Sequence, residues 1–147
     1  MYSGLMRVLL IIIAGGILSF TNRDNREYDN YLSDTEWRIS SHAFADENQE
    51  TYYLSVKEDE EWAWGRFVNF SNSTFNGYYS APFGNDCFVS TNGTYQFVEE
   101  NTIFVNVKSI TKNGFCSDTG TDSTGFKAYY SIQSNGSGYQ LNKIKKP

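Results

Sequence analysis

The sequence predicts an all-β protein, and three observations support that class. Aromatic residues make up 17% of the 147 residues, with 11 tyrosines and 11 phenylalanines, and such side chains favour strands. The chain has 12 glycines and two prolines, which suits many short strands joined by turns. No segment keeps the i, i+3, i+4, i+7 apolar spacing of an amphipathic helix. We therefore expect a small antiparallel meander barrel or half-barrel, with a β-sandwich as the alternative.

The individual strands are predicted from short apolar and aromatic runs that alternate with polar turns. Stretches such as "SNS", "EEN" and "SNGSG" have the length that joins antiparallel neighbours, and their even spacing indicates a meander. The dipeptide Asn92-Gly93 is a further turn signal between two short runs. The predicted strands cover residues 36–43, 51–56, 62–70, 74–79, 88–89, 94–98, 102–110, 126–133 and 139–144.

Alternation within these runs predicts one buried face for each strand. Short strands without a covering helix would leave exposed edges unless the sheet closes on itself or folds into two layers. Closure into a barrel is the simpler solution, and the two-layer sandwich stays open. The core positions predicted in two of the strands are Tyr52, Leu54, Val56, Ile103, Val105 and Val107.

The N-terminus has the features of an export signal. Residues 1–22 are predicted to be a secretory signal because the apolar run 8–18 is too short to span a bilayer comfortably. A membrane anchor is the alternative, since no Ala-x-Ala cleavage site follows the run. The end of the run resembles a bacterial lipoprotein signal, but Phe20 stands where the lipid-bearing cysteine would be. We expect a flexible segment over residues 23–32 and a single β-barrel-like domain over residues 33–147.

The charge of the chain limits its partners. The formal net charge is −5, and it becomes −6 without Arg7, the one charged residue of the signal. An acidic protein disfavours nucleic acid and anionic membranes as partners. The acidic run "KEDEE" at 57–61 lacks the spacing and the glycine of a calcium loop, so we expect a solvated loop. Glycan acceptors in a eukaryotic secretory pathway, or Asn-rich loops in a bacterium, are predicted at Asn69, Asn72, Asn92 and Asn135.

Two cysteines, Cys87 and Cys116, raise three alternatives. In an oxidising compartment they would form a disulfide that closes a loop of about 30 residues and contributes roughly 3 to 4 kcal/mol. If the predicted strands 94–98 and 102–110 form a hairpin, the two Cα atoms lie about 5 to 6 Å apart. A catalytic thiol would need a base, and the one histidine, His42, lies in a predicted strand. A zinc site lacks sufficient ligands, so the disulfide is favoured.

Several motifs occur in an order that resembles the META domain of small exported bacterial proteins. They are a tryptophan, the stretch "FVNFSNSTFNG", a Gly-Asn-Asp-Cys turn, "NGTY" and a second cysteine. In that family a tryptophan opens the first strand, a cysteine-containing turn precedes Gly-x-Tyr, and another cysteine follows. The resemblance carries these roles over to Trp37, Cys87, Gly93, Tyr95 and Cys116.

A second resemblance is to lipocalin-like barrels. In those proteins an early Gly-x-Trp places a tryptophan across the closed end, and a late basic residue packs over it. Here Thr35 stands in the glycine position, Trp37 is the tryptophan, and Lys143 is the basic residue that the resemblance implies. Both resemblances imply a compact antiparallel barrel or half-barrel.

The stretch "EEWAWGRFVNF" is the predicted ligand-binding surface. In a strand, Trp62, Trp64 and Arg66 would lie on one side, and Ala63 and Gly65 on the other. The aromatic rings would stack on a sugar or a flat apolar ligand while the guanidinium holds an anionic group. In the alternative interpretation, the tryptophans fill the core and Arg66 extends to solvent.

Acidic pairs are the remaining chemical groups of interest. Glu60 with Glu61 and Asp118 with Asp122 are the carboxylate pairs that a hydrolase would use, but both lie in polar loops. Asp118 also begins an Asp-Thr-Gly-Thr run that resembles the active-site turn of aspartic proteases. Because no apolar strand precedes that run, a flexible loop over residues 117–125 is the favoured interpretation.

The sequence thus predicts an exported, non-enzymatic β-barrel, secreted or held in the periplasm or cell envelope. It would bind a small apolar or carbohydrate ligand, or a protein partner. A secreted hydrolase with unassigned carboxylates is the alternative. We expect a monomer without a metal, a cofactor, a nucleic-acid partner or a stable membrane anchor after removal of the signal.

Overall fold

The computed structural model describes residues 27–57 and 63–147, and these residues form nine strands. None of them is helical, so no helix in this part of the chain could span a membrane. The predicted all-β class is confirmed. The strands are β1 (Glu36–Ile39), β2 (Thr51–Val56), β3 (Gly65–Ser71), β4 (Thr74–Ser80), β5 (Cys87–Glu99), β6 (Thr102–Gly114), β7 (Gly120–Ser123), β8 (Lys127–Ser134) and β9 (Gly138–Ile144).

Eight of these strands close into an antiparallel barrel. The order around it is β1, β2, β9, β8, β6, β5, β4 and β3, and β3 pairs with β1 to complete the circle. From β3 onward the barrel strands follow one another as a meander, whereas β1 is inserted between β2 and β3. The extra strand β7 pairs with the end of β6 that extends beyond β8. The predicted barrel is confirmed, and the sandwich alternative is not adopted.

The barrel interior is filled by side chains. Ile103, Val105 and Val107 are fully buried, as the alternation of β6 predicts. Tyr52 and Leu54 of β2 are also buried, whereas Val56 is 55% exposed because it is the last residue of its strand. The core is therefore built mainly from one face of each strand.

One end of the barrel is closed by the chain that precedes β1. Leu32 is fully buried there, and its carbonyl accepts a hydrogen bond of 3.2 Å from Trp37 Nε1. The ring of Tyr31 packs against Phe97 and Tyr139, with centroids 5.0 and 5.2 Å away. Residues 27–32, predicted as flexible, are thus part of the folded unit because they bury apolar surface. The predicted signal at residues 1–22 lies outside the described residues.

The connection between β1 and β2 fills the barrel from the opposite end. β1 ends at Ile39, four residues earlier than predicted, and the chain then turns inward. Phe44 is fully buried, and its ring contacts Tyr52, Phe75 and Tyr130 at centroid distances of 5.1, 5.0 and 5.3 Å. Residues 40–43 leave the sheet because this insertion buries an aromatic ring that a longer β1 would not place in the core.

The predicted turn at Asn92-Gly93 is wrong, because both residues lie within the 13-residue strand β5. A β-bulge occurs at this point, where Asn92 pairs with Ser109 and Gly93 with Val107. A Cβ on Gly93 would lie 2.3 Å from the Asn106 carbonyl oxygen and 2.5 Å from the Phe75 ring. The glycine is therefore required for close packing inside a strand and not for a turn.

The predicted loop over residues 117–125 is also partly wrong. Residues 120–123 form β7, which pairs with β6 from Lys112 opposite Gly120 to Ser109 opposite Ser123. Every residue of β7 is exposed, so the strand lacks the alternation by which sequence predicts strands. It forms because the long strand β6 offers an edge that β8 does not cover.

The two cysteines form the predicted disulfide. Cys87 begins β5 and lies opposite Gly114 at the end of β6, and its Cα is 4.5 Å from that of Cys116. The hairpin of β5 and β6 brings both sulfurs to one end, as the sequence predicts. Because both cysteines of the chain are used in this bond, neither acts as a thiol nucleophile or a zinc ligand.

Candidate functional site

A cleft of about 500 Å³ opens at the end of the barrel where the β1–β2 connection enters. We call it the mouth cleft, and it lies opposite the end that residues 27–35 close. Val89 and Ile110 supply apolar surface, and the hydroxyls of Ser40, Ser41 and Thr124 supply neutral polar groups. The ionisable side chains of its lining are His42, Asp46, Arg66, Lys112 and Asp122.

Arg66 extends into this cleft from β3 and is held beside an aromatic ring. Its guanidinium carbon lies 5.5 Å from the centroid of Tyr79, the residue that pairs with it on β4. The Tyr79 hydroxyl donates a hydrogen bond of 2.9 Å to Asp86, which limits rotation of the ring. The cation–π contact therefore orients Arg66 while leaving its side chain exposed.

His42 lies next to the same pair of residues. Its ring makes an edge-to-face contact with Tyr79, at a centroid distance of 5.9 Å. Burial lowers the pKa of His42 below its ordinary value, and the charge of Arg66 lowers it further. A group with an ordinary pKa near 6.5 that is lowered in this way is neutral at physiological pH. His42 therefore offers a neutral donor or acceptor, and Arg66 supplies the positive charge.

Lys112 is already paired with a carboxylate. Its Nζ lies 2.7 Å from Asp118 Oδ2, and this hydrogen bond raises the pKa of Lys112. The same bond, together with one from Ser117, lowers the pKa of Asp118. The charge of Asp122 raises the pKa of Lys112 further, and Arg66 and Asp46 are the other charged side chains of the cleft. The mouth cleft thus presents charges of both signs.

The three residues predicted to bind a ligand have different positions. Arg66 lines the mouth cleft, whereas Trp64 is absent from the described residues that line it. Trp64 is 40% exposed, and its carbonyl accepts a hydrogen bond of 2.8 Å from Arg38. Trp62 lies outside the described residues.

The predicted common face of these residues depends on a strand that begins at residue 62. β3 instead begins at Gly65, whose φ of +136° is adopted mainly by glycine. A Cβ at Gly65 would lie 2.6 Å from Arg38 Nη1, the end of a flexible side chain that can move aside, so the positive φ and not this contact requires glycine. The strand alternation therefore does not extend back to Trp64. Ligand binding by Trp64 and Arg66 stays a prediction.

Sequence reasoning did not find most of the mouth cleft. His42 and Asp46 come from the β1–β2 connection, Val89 from β5, Ile110 from β6 and Asp122 from β7. Barrel closure brings these distant segments together, and no local motif encodes that arrangement. The one available signal was His42, the lone histidine of the chain, four residues before the acidic, polar stretch that begins at Asp46.

The carboxylate pair Asp118 with Asp122, proposed for a hydrolase, has no support from the chemistry around Asp118. Asp118 is held ionised by Lys112 and Ser117, which is opposite to the raised pKa of a general acid. Glu60 and Glu61 lie outside the described residues. Within residues 27–57 and 63–147, no group of three or more His, Cys, Asp and Glu side chains is arranged to hold a metal ion.

The residues on which the two family resemblances depend lie at different ends of the barrel. Trp37 lies in β1 at the closed end, and its ring contacts Tyr139 at a centroid distance of 5.4 Å. Lys143, which the lipocalin resemblance places over Trp37, lies at the opposite end near Phe126 and Glu50. That part of the resemblance is wrong, because β9 runs from Tyr139 at the closed end to Lys143 at the mouth. Tyr95, a residue of the META resemblance, is buried, and its hydroxyl accepts a hydrogen bond from the Asn30 amide.

Comparison of the chain with protein-family models, with curated proteins and with solved structures finds no match. The barrel architecture therefore rests on the structure of this chain alone. A fold of this kind accepts many functions, so the argument for function depends on the mouth cleft.

Proposed function

We propose that this protein is an exported, non-enzymatic barrel that binds a small zwitterionic ligand in the mouth cleft. The observation that carries the proposal is the lining of the cleft. Arg66 faces a space of about 500 Å³ that also contains Asp46, Asp122 and the apolar side chains of Val89 and Ile110. A volume of this size suits a small molecule.

Each part of such a ligand has a matching group. The guanidinium of Arg66 binds an anionic group through paired hydrogen bonds, for which its planar shape is suited. The carboxylates of Asp46 and Asp122 attract an ammonium group. Val89 and Ile110 cover a short apolar part. A free amino acid with an aliphatic side chain has all three features and is the simplest ligand of this class.

The filled interior supports binding at the mouth and not inside the barrel. Phe44 occupies the core beneath the β1–β2 connection and contacts aromatic rings on three sides. A ligand at the mouth is partly open to solvent, so we expect weak, rapidly reversible binding. This mode suits a protein that samples or carries a ligand outside the cell.

Export is supported by two independent features. A disulfide is typical of proteins that fold in an oxidising compartment. The apolar run at residues 8–18 has the length of a signal peptide core. We further propose that the protein is a distant member of the META-like or lipocalin-like barrels, on the basis of its closed antiparallel barrel and of Trp37 in the first strand.

The experiment uses three probes that share the leucine side chain and carry different charges. Leucine is the zwitterion, N-acetylleucine carries the anionic group alone, and leucinamide carries the cationic group alone. Binding is measured by NMR chemical-shift titration of the full-length mature protein. We expect leucine to bind more tightly than N-acetylleucine and leucinamide. The residues whose NMR signals shift should cluster at the mouth cleft.

Variants assign the two charges. Arg66→Gln removes a charge-assisted contact and should weaken leucine binding by about tenfold or more. Asp122→Asn should weaken the binding of leucinamide. The same variant should bind N-acetylleucine with equal or higher affinity. Lys127→Gln, which removes an exposed positive charge elsewhere on β8, is the matched control and should change nothing. Equal affinity for all three probes, or equal effects of Arg66→Gln and Lys127→Gln, would refute the proposal.

A further inference from the structure

A second concave surface lies on the outside of the barrel. It encloses about 500 Å³ over strands β1, β3, β4, β5 and β6, and no residue lines both this surface and the mouth cleft. We call it the outer groove. The residues that define it are Glu36, Asn69, Asn76, Tyr78, Asn92 and Lys108.

Three asparagines on neighbouring strands form a row across this groove. Asn69 of β3 pairs with Asn76 of β4, and Asn76 pairs with Asn92 of β5. Neighbouring strands lie about 4.8 Å apart, so the three exposed amides repeat at that interval perpendicular to the strands. The Asn76 amide donates a hydrogen bond of 2.7 Å to Asn92 Oδ1, which fixes the orientation of both side chains.

Hydroxyl side chains form a second, parallel row. Ser71 pairs with Thr74, and Thr74 pairs with Thr94 on the next strand. Ser71 and Thr74 line the groove together with the amides. The floor is therefore an ordered array of uncharged groups, each of which both donates and accepts hydrogen bonds.

The two ends of the outer groove carry charged side chains, and partners hold one of them in position. At one end, Glu36 accepts hydrogen bonds from Lys57, at 2.5 Å, and from the Tyr78 hydroxyl. Burial alone would raise the pKa of Glu36, but these hydrogen bonds and the Lys57 charge lower it, so the carboxylate is ionised. At the other end, Lys108 is the extra residue of the bulge on β6. Bulges often redirect a side chain in this way, and here the bulge bends the sheet beside the groove.

We infer that the outer groove binds an extended oligosaccharide chain that lies across the strands. Sugar hydroxyls both donate and accept, as do the amides and hydroxyls of the groove. A β-1,4-linked pyranose chain is flat and straight, with one ring for roughly each strand spacing, so successive rings meet successive asparagines. Glu36 and Lys108 would contact hydroxyls near the two ends of a chain of about four to five sugars.

Other kinds of partner fit this surface poorly. The strands beneath the groove are paired on both sides, so an added peptide strand has no free backbone edge there. The exposed side chains of the floor include amides and hydroxyls, which an apolar helix would leave without hydrogen bonds. One lysine opposite one glutamate provides little attraction for nucleic acid, and the whole chain is acidic.

The test compares two glucose pentamers of equal size. Cellopentaose is straight, whereas maltopentaose curls, and each is titrated into the full-length mature protein while NMR shifts are followed. The protein is produced without N-glycosylation, because Asn69 and Asn92 lie in glycosylation sequons and a glycan would cover the groove. We expect cellopentaose to bind more tightly than maltopentaose and to perturb the outer groove and not the mouth cleft.

Variants separate the row of amides from general surface polarity. Asn76→Ala removes the central amide and should weaken cellopentaose binding by about tenfold, the loss of one to two hydrogen bonds. Gln133→Ala removes an exposed amide of β8 away from the groove and should leave the affinity unchanged. Both variants alter exposed side chains, and thermal unfolding of each variant is measured to check that it folds.

Three outcomes would overturn the inference. They are an absence of cellopentaose binding, equal affinity for the curled pentamer, and an equal loss in Gln133→Ala. The leucine titration at the mouth cleft is a separate measurement on the same sample. Failure at one surface therefore leaves the other result intact.

Discussion

The two ends of the barrel differ in what their side chains do. At the closed end, Tyr31, Leu32 and Trp37 bury apolar surface, and the Trp37 indole donates to a backbone carbonyl. At the mouth, Arg66 and Asp122 are exposed beside a half-buried histidine. Polar ionisable groups that are left exposed contribute little to stability. The closed end thus consists of buried apolar contacts, whereas the mouth cleft leaves ionisable side chains exposed.

The largest expected effect is at the closed end. Trp37→Ala should lower the free energy of unfolding by about 3 to 5 kcal/mol, because it removes a 5%-exposed indole and leaves a cavity. Chemical denaturation measures the change. At the mouth, Arg66→Gln should shift the same free energy by less than about 0.5 kcal/mol. If both variants lost a similar free energy of unfolding, the proposed difference between the closed end and the mouth would be refuted.

A smaller effect is expected from the covalent link at the mouth. The double variant Cys87→Ser, Cys116→Ser frees a loop of sequence separation 29 and should cost about 3 to 4 kcal/mol in the chain-entropy model. The closed end should stay intact, because the disulfide joins the mouth end of the β5–β6 hairpin, whereas Tyr31 contacts Phe97 near the other end of that hairpin. Hydrogen exchange measures both regions. Loss of protection at Trp37 that exceeds the global change would contradict this expectation.

The smallest expected effect concerns the pH dependence of the mouth. The pKa of His42 is lowered by burial and by Arg66, so the unfolded chain binds a proton at higher pH than the folded protein does. The stability that neutral His42 provides is therefore complete above its ordinary pKa near 6.5 and is lost as the pH falls below it. Denaturation at pH 8 and pH 5.5 should show a larger loss in the wild-type protein than in His42→Gln.

Carboxylates also make the stability depend on pH, but in a different pH range. Glu36 and Asp118 have lowered pKa values, so their contribution is lost only at more acidic pH, below the ordinary carboxyl range. The interval between pH 8 and pH 5.5 therefore reports on His42. An identical pH dependence in the wild-type protein and in His42→Gln would assign the change to other groups.

The sequence pattern correctly predicted those elements whose conformation depends on residues close together in the chain. Residues 51–56 were predicted as a strand and form β2, because their alternating side chains match a half-buried strand. The Cys87–Cys116 pairing followed from a hairpin whose turn was visible in the sequence. The Asn92-Gly93 turn failed because packing of Gly93 against Phe75 overrides the local preference.

Features that arise from closure could not be predicted. β7 has no apolar residue and forms only because β6 extends beyond β8. The insertion of Phe44 and the burial of Leu32 depend on the size of a space that exists only after the barrel closes. For the mouth cleft, Arg66 was identified from sequence, while His42, Asp46 and Asp122 were not, because their common location is a property of the closed barrel.

The strand β7 has a consequence for how the protein behaves in concentrated solution. Among the described strands, each of the eight barrel strands has a partner on both sides, whereas β7 has a partner on one side only. An open edge is a site for sheet-to-sheet aggregation, which proteins suppress with short strands and charged residues. β7 has four residues, begins with glycine and carries Asp122. The same carboxylate that lines the mouth cleft thus also protects this edge, so its loss would favour self-association.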